Sequence, residues 1–409
     1  MRNFSILIPT KDRLEYLKKT LSTVLNQDYK NYEIIISDCS ETDETFNYFK
    51  NEINLQKIRY FRANKNFTRS ENWENGLNKC ENEYVTVLGD DDGYFPNTLS
   101  CINNLMDKFD CDIVNWSKLD FSLPDHNEKL RKNVVLGYSY PVVEKVKSEK
   151  KFKLFHKFLE RYTALPCIYN SMINIKYINE IKEISKNKIF FSGIIPDVYS
   201  GIVLSRVANK YLQTFFPLSI NAASKLSGGY LQSKRNLEKN DKFFNQIKDL
   251  NLETLSKGYD NAIGKSTAVY SIELGEYLLA KKNIPKIFWP EPKWKNYLKA
   301  LERELKTSEN KEEIQNSILH TANFKNINRK KSKQKSLNEV VVKGTNHQFE
   351  IDMPLGVKKI KDVEEFSLIF NPIPPIDKIK NNSLKFFINH WIKETKKIFL
   401  RLMRIYFSK

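Results

Sequence analysis

Residues Glu83 to Pro96 read EYVTVLGDDDGYFP. Tyr84 to Leu88 has the β-branched and apolar content of a buried strand, and it runs straight into three adjacent carboxylates, Asp90, Asp91 and Asp92. Like charges held this close repel, so unless a cation sits among them at least one must have a raised pKa. A strand-end acid cluster has three uses: holding a divalent cation, sharing a proton as an acid pair, or standing solvated on a turn. The flanking pattern decides which.

Upstream, apolar runs alternate with amphipathic ones. Phe4–Ile8, Tyr32–Ser37, Ile58–Phe61, Tyr84–Leu88 and Asp112–Trp116 read as strands. Asp12–Asn26, Glu41–Asn51, Ser70–Lys79 and Asn97–Phe109 read as helices, the first with Leu14, Leu17, Leu21 and Val24 on one face. Strands alternating with short helices predict an α/β fold, a Rossmann-like αβα sandwich with a mainly parallel sheet. Ligands in such folds bind beyond the C-terminal ends of the strands. Here those ends are Pro9 to Arg13, Ser37 to Ser40, Arg62 to Arg69 and the aspartate run, so the acids fall where the crevice is expected.

Beyond residue 120 the pattern loosens. Helices are expected near Lys151–Arg161 and Val198–Lys210, a Ser- and Gly-rich segment at Ser224 to Gly229, and helices at Lys265–Lys282 and Trp294–Leu305. A basic tract follows at Arg329 to Lys335, then short strands at Val340–Val342 and Gln348–Ile351, and a proline-rich break at Asn371 to Pro375. The last segment, Ser383 to Tyr406, sets Leu384, Phe387, Ile388, Trp391, Ile398, Leu402 and Ile405 at helical spacing, and residues 378–409 hold nine Lys and Arg against one acid, Glu394. That is the composition of a basic amphipathic helix lying on an anionic membrane surface; a terminal helix docked on its own domain, or a homo-oligomer contact, is the other reading.

Composition narrows the class. The chain has 409 residues, 41% hydrophobic and 12% aromatic, enough for a catalytic domain and smaller units and too apolar for a disordered chain. Its net charge of +18 is uneven, with 16 Lys and Arg against 22 Asp and Glu in residues 1–130 and 51 against 27 in the rest. Five cysteines without a Cys-x-x-Cys pair predict no disulfide framework and no thiolate zinc site. The five histidines are scattered, with no metal-binding spacing. No run of about 18 apolar residues occurs, and the first residues become charged too soon for a signal peptide. The expected location is cytoplasmic, peripheral on the inner face of the cell membrane.

Four ordered segments, FSILIPTKDR (4–13), EIIISDCS (33–40), NKNFTRSENWENGL (64–77) and EYVTVLGDDDGYFP (83–96), together resemble the successive signatures of the family 2 glycosyltransferases of the GT-A fold. The resemblance covers roughly residues 1–230 and implies a nucleotide-sugar donor, a UDP-sugar by preference, and a divalent cation, Mn²⁺ or Mg²⁺. It implies donor-binding roles for Pro9, Thr10, Arg13, Asp38, Asn66, Arg69, Asn72, Asp90 and Asp91, and metal-ligand roles for Asp92 first and Asp90. Phe190 to Gly201 (FFSGIIPDVYSG) resembles the acceptor-side motif, which makes Asp197 the general base and the reaction inverting. Asp197 as the N-cap of the following helix is the plainer reading of the same residues. Two departures stand out: one acid of the pair usual after the second strand is Ser37, and the third motif reads Thr68-Arg69-Ser70. Lys225 and Ser227, within Ser219 to Gly229, lie where the family places a segment closing over the donor, and Trp73 and Trp116 read as core or crevice wall.

The expected organisation is therefore a catalytic domain at 1–230, a mainly helical accessory region at 231–376 and a membrane-associating helix at 377–409. The acceptor is expected to be a glycan or lipid-linked sugar of bacterial surface polysaccharide synthesis. The rivals are a nucleic-acid or anionic-surface binding protein, for which only net charge speaks, and a nucleotidyltransferase, whose glycine-rich loop after the first strand is missing from Ile8 to Arg13. Nucleic acid is not an expected partner.

Overall fold

The computed structural model describes residues 1–51, 56–122, 135–136, 139–223, 259, 261–263, 266, 268–308, 311–327, 362–369 and 371–381. In chain order the first half runs β1 (Phe4–Thr10), α1 (Leu14–Leu25), β2 (Tyr32–Asp38), α2 (Glu44–Asn51), β3 (Ile58–Arg62), α3 (Arg69–Leu77), β4 (Tyr84–Val87), β5 (Gly93–Tyr94), α4 (Thr98–Phe109) and β6 (Ile113–Ser122). The alternation read from sequence is all there. All seven residues of β1 are buried, as a central parallel strand covered on both faces requires. Its side chains point alternately to two cores: Phe4, Ile6 and Ile8 meet α1 and α4, while Leu7 meets Trp73 and Leu77 of α3. β2 divides the same way, with Ile34 and Ile36 on one side and Ile35 on the other.

Then come β7 (Val135–Leu136), β8 (Val142–Lys147), α5 (Ser148–His156), β9 (Ser171–Asn174), α6 (Ile175–Ile184), α7 (Pro196–Val207) and β10 (Lys210–Ala223). With β11 (Lys380–Asn381) at one edge, the main path of the sheet is β11-β8-β10-β6-β9-β4-β1-β2-β3, with β5 on β10 and β7 on β6. Strands β3, β2, β1 and β4 are parallel neighbours. Past β4 the sheet is mixed, because β9 enters between β4 and β6 antiparallel to both. Strand β10 begins at Lys210, where a helix end was expected, and runs parallel to β6 with register shifts around Pro217. It also takes in Ser219 to Ala223, the start of the segment expected to be a flexible cover.

The later helices are α8 (Val269–Asn283), α9 (Trp294–Thr307), α10 (Lys311–Phe324) and α11 (Val363–Ile369). Helices α8, α9 and α10 share one continuous core with α3, α6 and α7. Helix α11 packs on the opposite face, where Phe366 stacks on Phe121 at 4.6 Å, and β11 (Lys380–Asn381) extends the sheet beside β8. The described parts of residues 259–381 thus lie against both faces and one edge of the α/β unit. No described helix is long and apolar enough to cross a membrane. Lys225, Ser227, the basic tract at 329–335, the strands expected at 340–342 and 348–351, and the terminal helix from Ser383 lie outside the described residues.

Candidate active site

The parallel strands deliver their ends to one place. Residues Pro9 and Thr10 pair with Ser37 and Asp38, and three residues after the end of β1 Arg13 stands at the N-cap of α1. The guanidinium of Arg13 lies between two of the aspartates, donating to Asp90 Oδ1 at 2.7 Å and to Asp91 Oδ2 at 2.5 Å. This is the cation that an acid run demands. Thr10 Oγ1 donates to the other oxygen of Asp90 at 2.7 Å. The three acids are almost wholly shielded, at 4%, 6% and 2% exposure, which rules out the solvated-turn reading.

Asp92 is held differently. Its Oδ1 accepts from the Ala222 backbone N–H at 2.9 Å, and its Oδ2 from the Tyr169 hydroxyl. Among the described residues no cation forms an ion pair with Asp92. Burial pushes its carboxyl up to about 7, with the charge of Asp91 adding and Lys118 opposing. Asp90 is pushed up to about 6 by burial, against the pull of Arg13 and with the push of Asp91. Gly89 makes this packing possible, since a Cβ there would stand 2.3 Å from the Tyr169 hydroxyl oxygen and 2.8 Å from Asp92 Oδ2.

The remaining expected donor residues divide into buried supports and surface groups. Asp38 is wholly buried and accepts from Ser40 N–H at 2.8 Å, Tyr60 OH at 2.6 Å and Arg62 Nη1 at 3.2 Å, fastening the ends of β2 and β3. Asn72 is buried beneath the strand ends, donating to the Ser37 carbonyl at 3.0 Å and accepting from Ser37 Oγ at 2.8 Å. Arg69 opens α3, which a Thr68/Glu71 capping box starts, and Asn66 is exposed on the preceding turn.

Asp197 does not cap its helix. The N-cap of α7 is Ile195, without a side-chain cap, Pro196 holds the first position and Asp197 the second. Its half-buried carboxylate accepts instead from the Tyr162 hydroxyl, at Oδ2 and 3.1 Å. Tyr169 donates to Asp92, and burial, with the charges of Asp92 and Asp91 adding, raises its phenol well above the ordinary value and keeps it a donor. Trp73 stacks on Tyr169 at 5.9 Å, meets Phe191 edge-on at 5.4 Å and is buried in the core, the first of the two readings expected of it. Trp116 is core, its indole N–H on Ser219 Oγ.

Sequence reading missed Tyr162, Tyr169 and Lys118, whose partners Asp197 and Asp92 lie far enough away along the chain to leave no local signal. It also missed Glu273 and Glu276 of α8, which did have one: two acids three apart inside an apolar helix, SIELGEYLLA. All five cysteines are free, and no described group of three or more His, Cys, Asp and Glu has a metal-holding arrangement.

A parallel sheet half with buried aspartates at its mouth, continued by mixed strands, defines a GT-A-like α/β domain. Residues 5–181 match the model of Glycosyl transferase family 2. Among curated relatives, a Campylobacter jejuni GalNAc(5)-diNAcBac-PP-undecaprenol beta-1,3-glucosyltransferase is 37% identical over 108 residues, 25% of this chain and 34% of that protein. Abequosyltransferase RfbV of Salmonella typhimurium is 27% identical over 156 residues, 32% of this chain and 46% of that one. The chain thus spans less than half the length of these relatives. The solved structure of Staphylococcus aureus TarS 1–349 in complex with UDP-GlcNAc aligns with 79% of this chain and 92% of that one, at 13% identity and a TM-score of 0.42, too low to place any residue here.

Proposed function

We propose that the protein is an inverting glycosyltransferase that moves a sugar from a nucleoside diphosphate donor, a UDP-sugar by preference, to a hydroxyl of a glycan or lipid-linked acceptor in bacterial surface polysaccharide synthesis. The observation that carries this reading is the buried aspartate run at the strand mouths, with Arg13 between Asp90 and Asp91 and with Asp92 held by Tyr169. A divalent cation fits Asp92, a buried hard-oxygen donor with no ion-pair partner among the described residues; when bound it supplies positive charge against the departing diphosphate. Asp90 is the second metal ligand proposed, although Arg13 and Thr10 already engage its two oxygens.

The residues of this chain do the rest. Arg13 fixes Asp90 and Asp91, so that the run keeps its shape while charge develops beside it. Asp38, Asn72 and Thr10 tie the strand ends into the floor of a nucleoside pocket, with Pro9, Asn66 and Arg69 at its margin. Asp197 takes the proton of the acceptor hydroxyl as that oxygen attacks the anomeric carbon from the side opposite the leaving group, which inverts its configuration.

Two experiments test this. Thermal unfolding with UDP, GDP, CDP and dTDP, each with and without Mn²⁺, is expected to show metal-dependent stabilisation by one of them, UDP first; no response to any would count against the assignment. Residues 377–409 are proposed to hold the protein to the inner face of the cell membrane. Deleting 382–409 should abolish sedimentation with anionic phospholipid vesicles, and unchanged sedimentation would remove that part of the reading.

A further inference from the structure

We propose that helix α8, outside the stretch that matches the family, is the positioning element of the general base, and that Glu276 is its principal residue. The proposal rests on Asp197 being that base.

Glu276 is wholly buried, and its Oε1 accepts from the backbone N–H groups of Ile194 and Ile195 at 3.1 and 2.8 Å and from the Tyr259 hydroxyl at 2.7 Å. Those amides immediately precede Pro196 and Asp197, so one side chain of α8 sets where α7 begins. Gly193 permits the approach, because a Cβ there would lie 2.0 Å from Glu276 Oε2. Burial pushes Glu276 up to about 8, which makes it chiefly a neutral acceptor at neutral pH.

One turn earlier on the same face, Glu273 is also wholly buried. Its Oε1 accepts from Arg161 Nε at 2.7 Å and from the Tyr162 N–H at 3.0 Å, and the Tyr162 hydroxyl reaches Asp197. Helix α8 therefore reaches the base twice, through the backbone by Glu276 and through a side chain by Glu273 and Tyr162. With Tyr162 on Oδ2 and no side-chain partner at Oδ1 among the described residues, Oδ1 of Asp197 is the oxygen that takes the acceptor proton.

From the other side α3 grips the same loop. Ser70 Oγ donates to the Gly193 carbonyl at 2.6 Å, and Glu74 Oε2 accepts from the N–H groups of Phe190 and Phe191 at 3.1 and 2.9 Å. The loop that carries the base is thus clamped between a helix of the donor half and a helix of the C-terminal region, and this gives the described part of that region a catalytic use.

The test measures UDP release from UDP-glucose, UDP-galactose and UDP-N-acetylglucosamine, and separately UDP binding with Mn²⁺. Glu276→Ala should lower kcat about 30-fold while KM and the Kd of UDP stay within about twofold, because only the placement of the base is lost. Glu276→Gln keeps the accepting oxygen and should restore kcat to within about threefold of wild type. Tyr162→Phe should lower kcat about 10-fold and shift the acid limb of the kcat profile. A folded Glu276→Ala enzyme with wild-type kcat, a Gln variant as damaged as the Ala one, or a parallel loss of UDP affinity would each overturn the proposal. If Glu276→Ala does not fold, a Tyr162→Phe enzyme with unchanged kcat and pH profile overturns it. Wild-type turnover by Asp197→Asn would instead sink the base assignment on which it stands.

Discussion

Asp197→Asn is expected to lower UDP release from the donor at least about 100-fold while leaving UDP binding with Mn²⁺ within about twofold of wild type. Asparagine keeps the volume and the oxygen that accepts from Tyr162, so the hydrogen bond at Oδ2 and the start of α7 survive. Only the ability to take a proton is removed. Had Asp197 been a helix cap, the substitution would be nearly silent in both assays, since asparagine caps as well as aspartate. The structure has already set that alternative aside by placing Ile195 at the cap and Asp197 at the second position of the helix. Loss of turnover together with loss of UDP binding would instead point to a collapsed crevice.

The second large effect concerns stability. Arg13→Met removes both ion pairs with Asp90 and Asp91 while keeping most of the apolar stem, and should lower unfolding free energy by about 3–5 kcal/mol near neutral pH. The cost is that of stranding two shielded carboxylates. Its pH dependence has a definite sign. Asp90 already titrates above its ordinary value, at about 6, because of burial, and loss of Arg13 raises that value further. A group whose folded pKa is raised contributes stability that is present at low pH and lost as pH climbs through the folded value. The gap between variant and wild type should therefore be widest near pH 8 and narrow toward pH 5, as urea unfolding at both values would show. A gap that widens on acidification would mean that Arg13 does not compensate these acids in the fold.

Where residues announce their surroundings locally, the chain was readable. Strands β1 to β4 carry apolar runs bounded by turns, α1 and α4 carry a single apolar face, and the aspartates interrupt one of those runs at its end. The second half of the sheet was hidden for physical reasons. Strand β9 is four residues, SMIN, too short for any period to emerge, and β10 contains Pro217, a residue that argues against an interior strand and is accommodated here by a register shift. In the site, the acids were visible because like charges in series need an explanation. What surrounds them was not, since Tyr169 and Tyr162 are tyrosines like any others until the fold sets them against Asp92 and Asp197. Glu276 lay between these cases: its burial was foreshadowed by the apolar residues around it, and its partner loop could be found only in three dimensions.

Asp92 is proposed to hold a cation that meets the diphosphate of the donor. Calorimetric titration of UDP into the protein, with and without Mn²⁺, for wild type and Asp92→Asn, tests it most directly. Mn²⁺ is expected to tighten UDP binding by at least about 10-fold in wild type and to have no effect in the variant. Equal UDP affinity in all four titrations, or an equal gain from Mn²⁺ in Asp92→Asn, would contradict it.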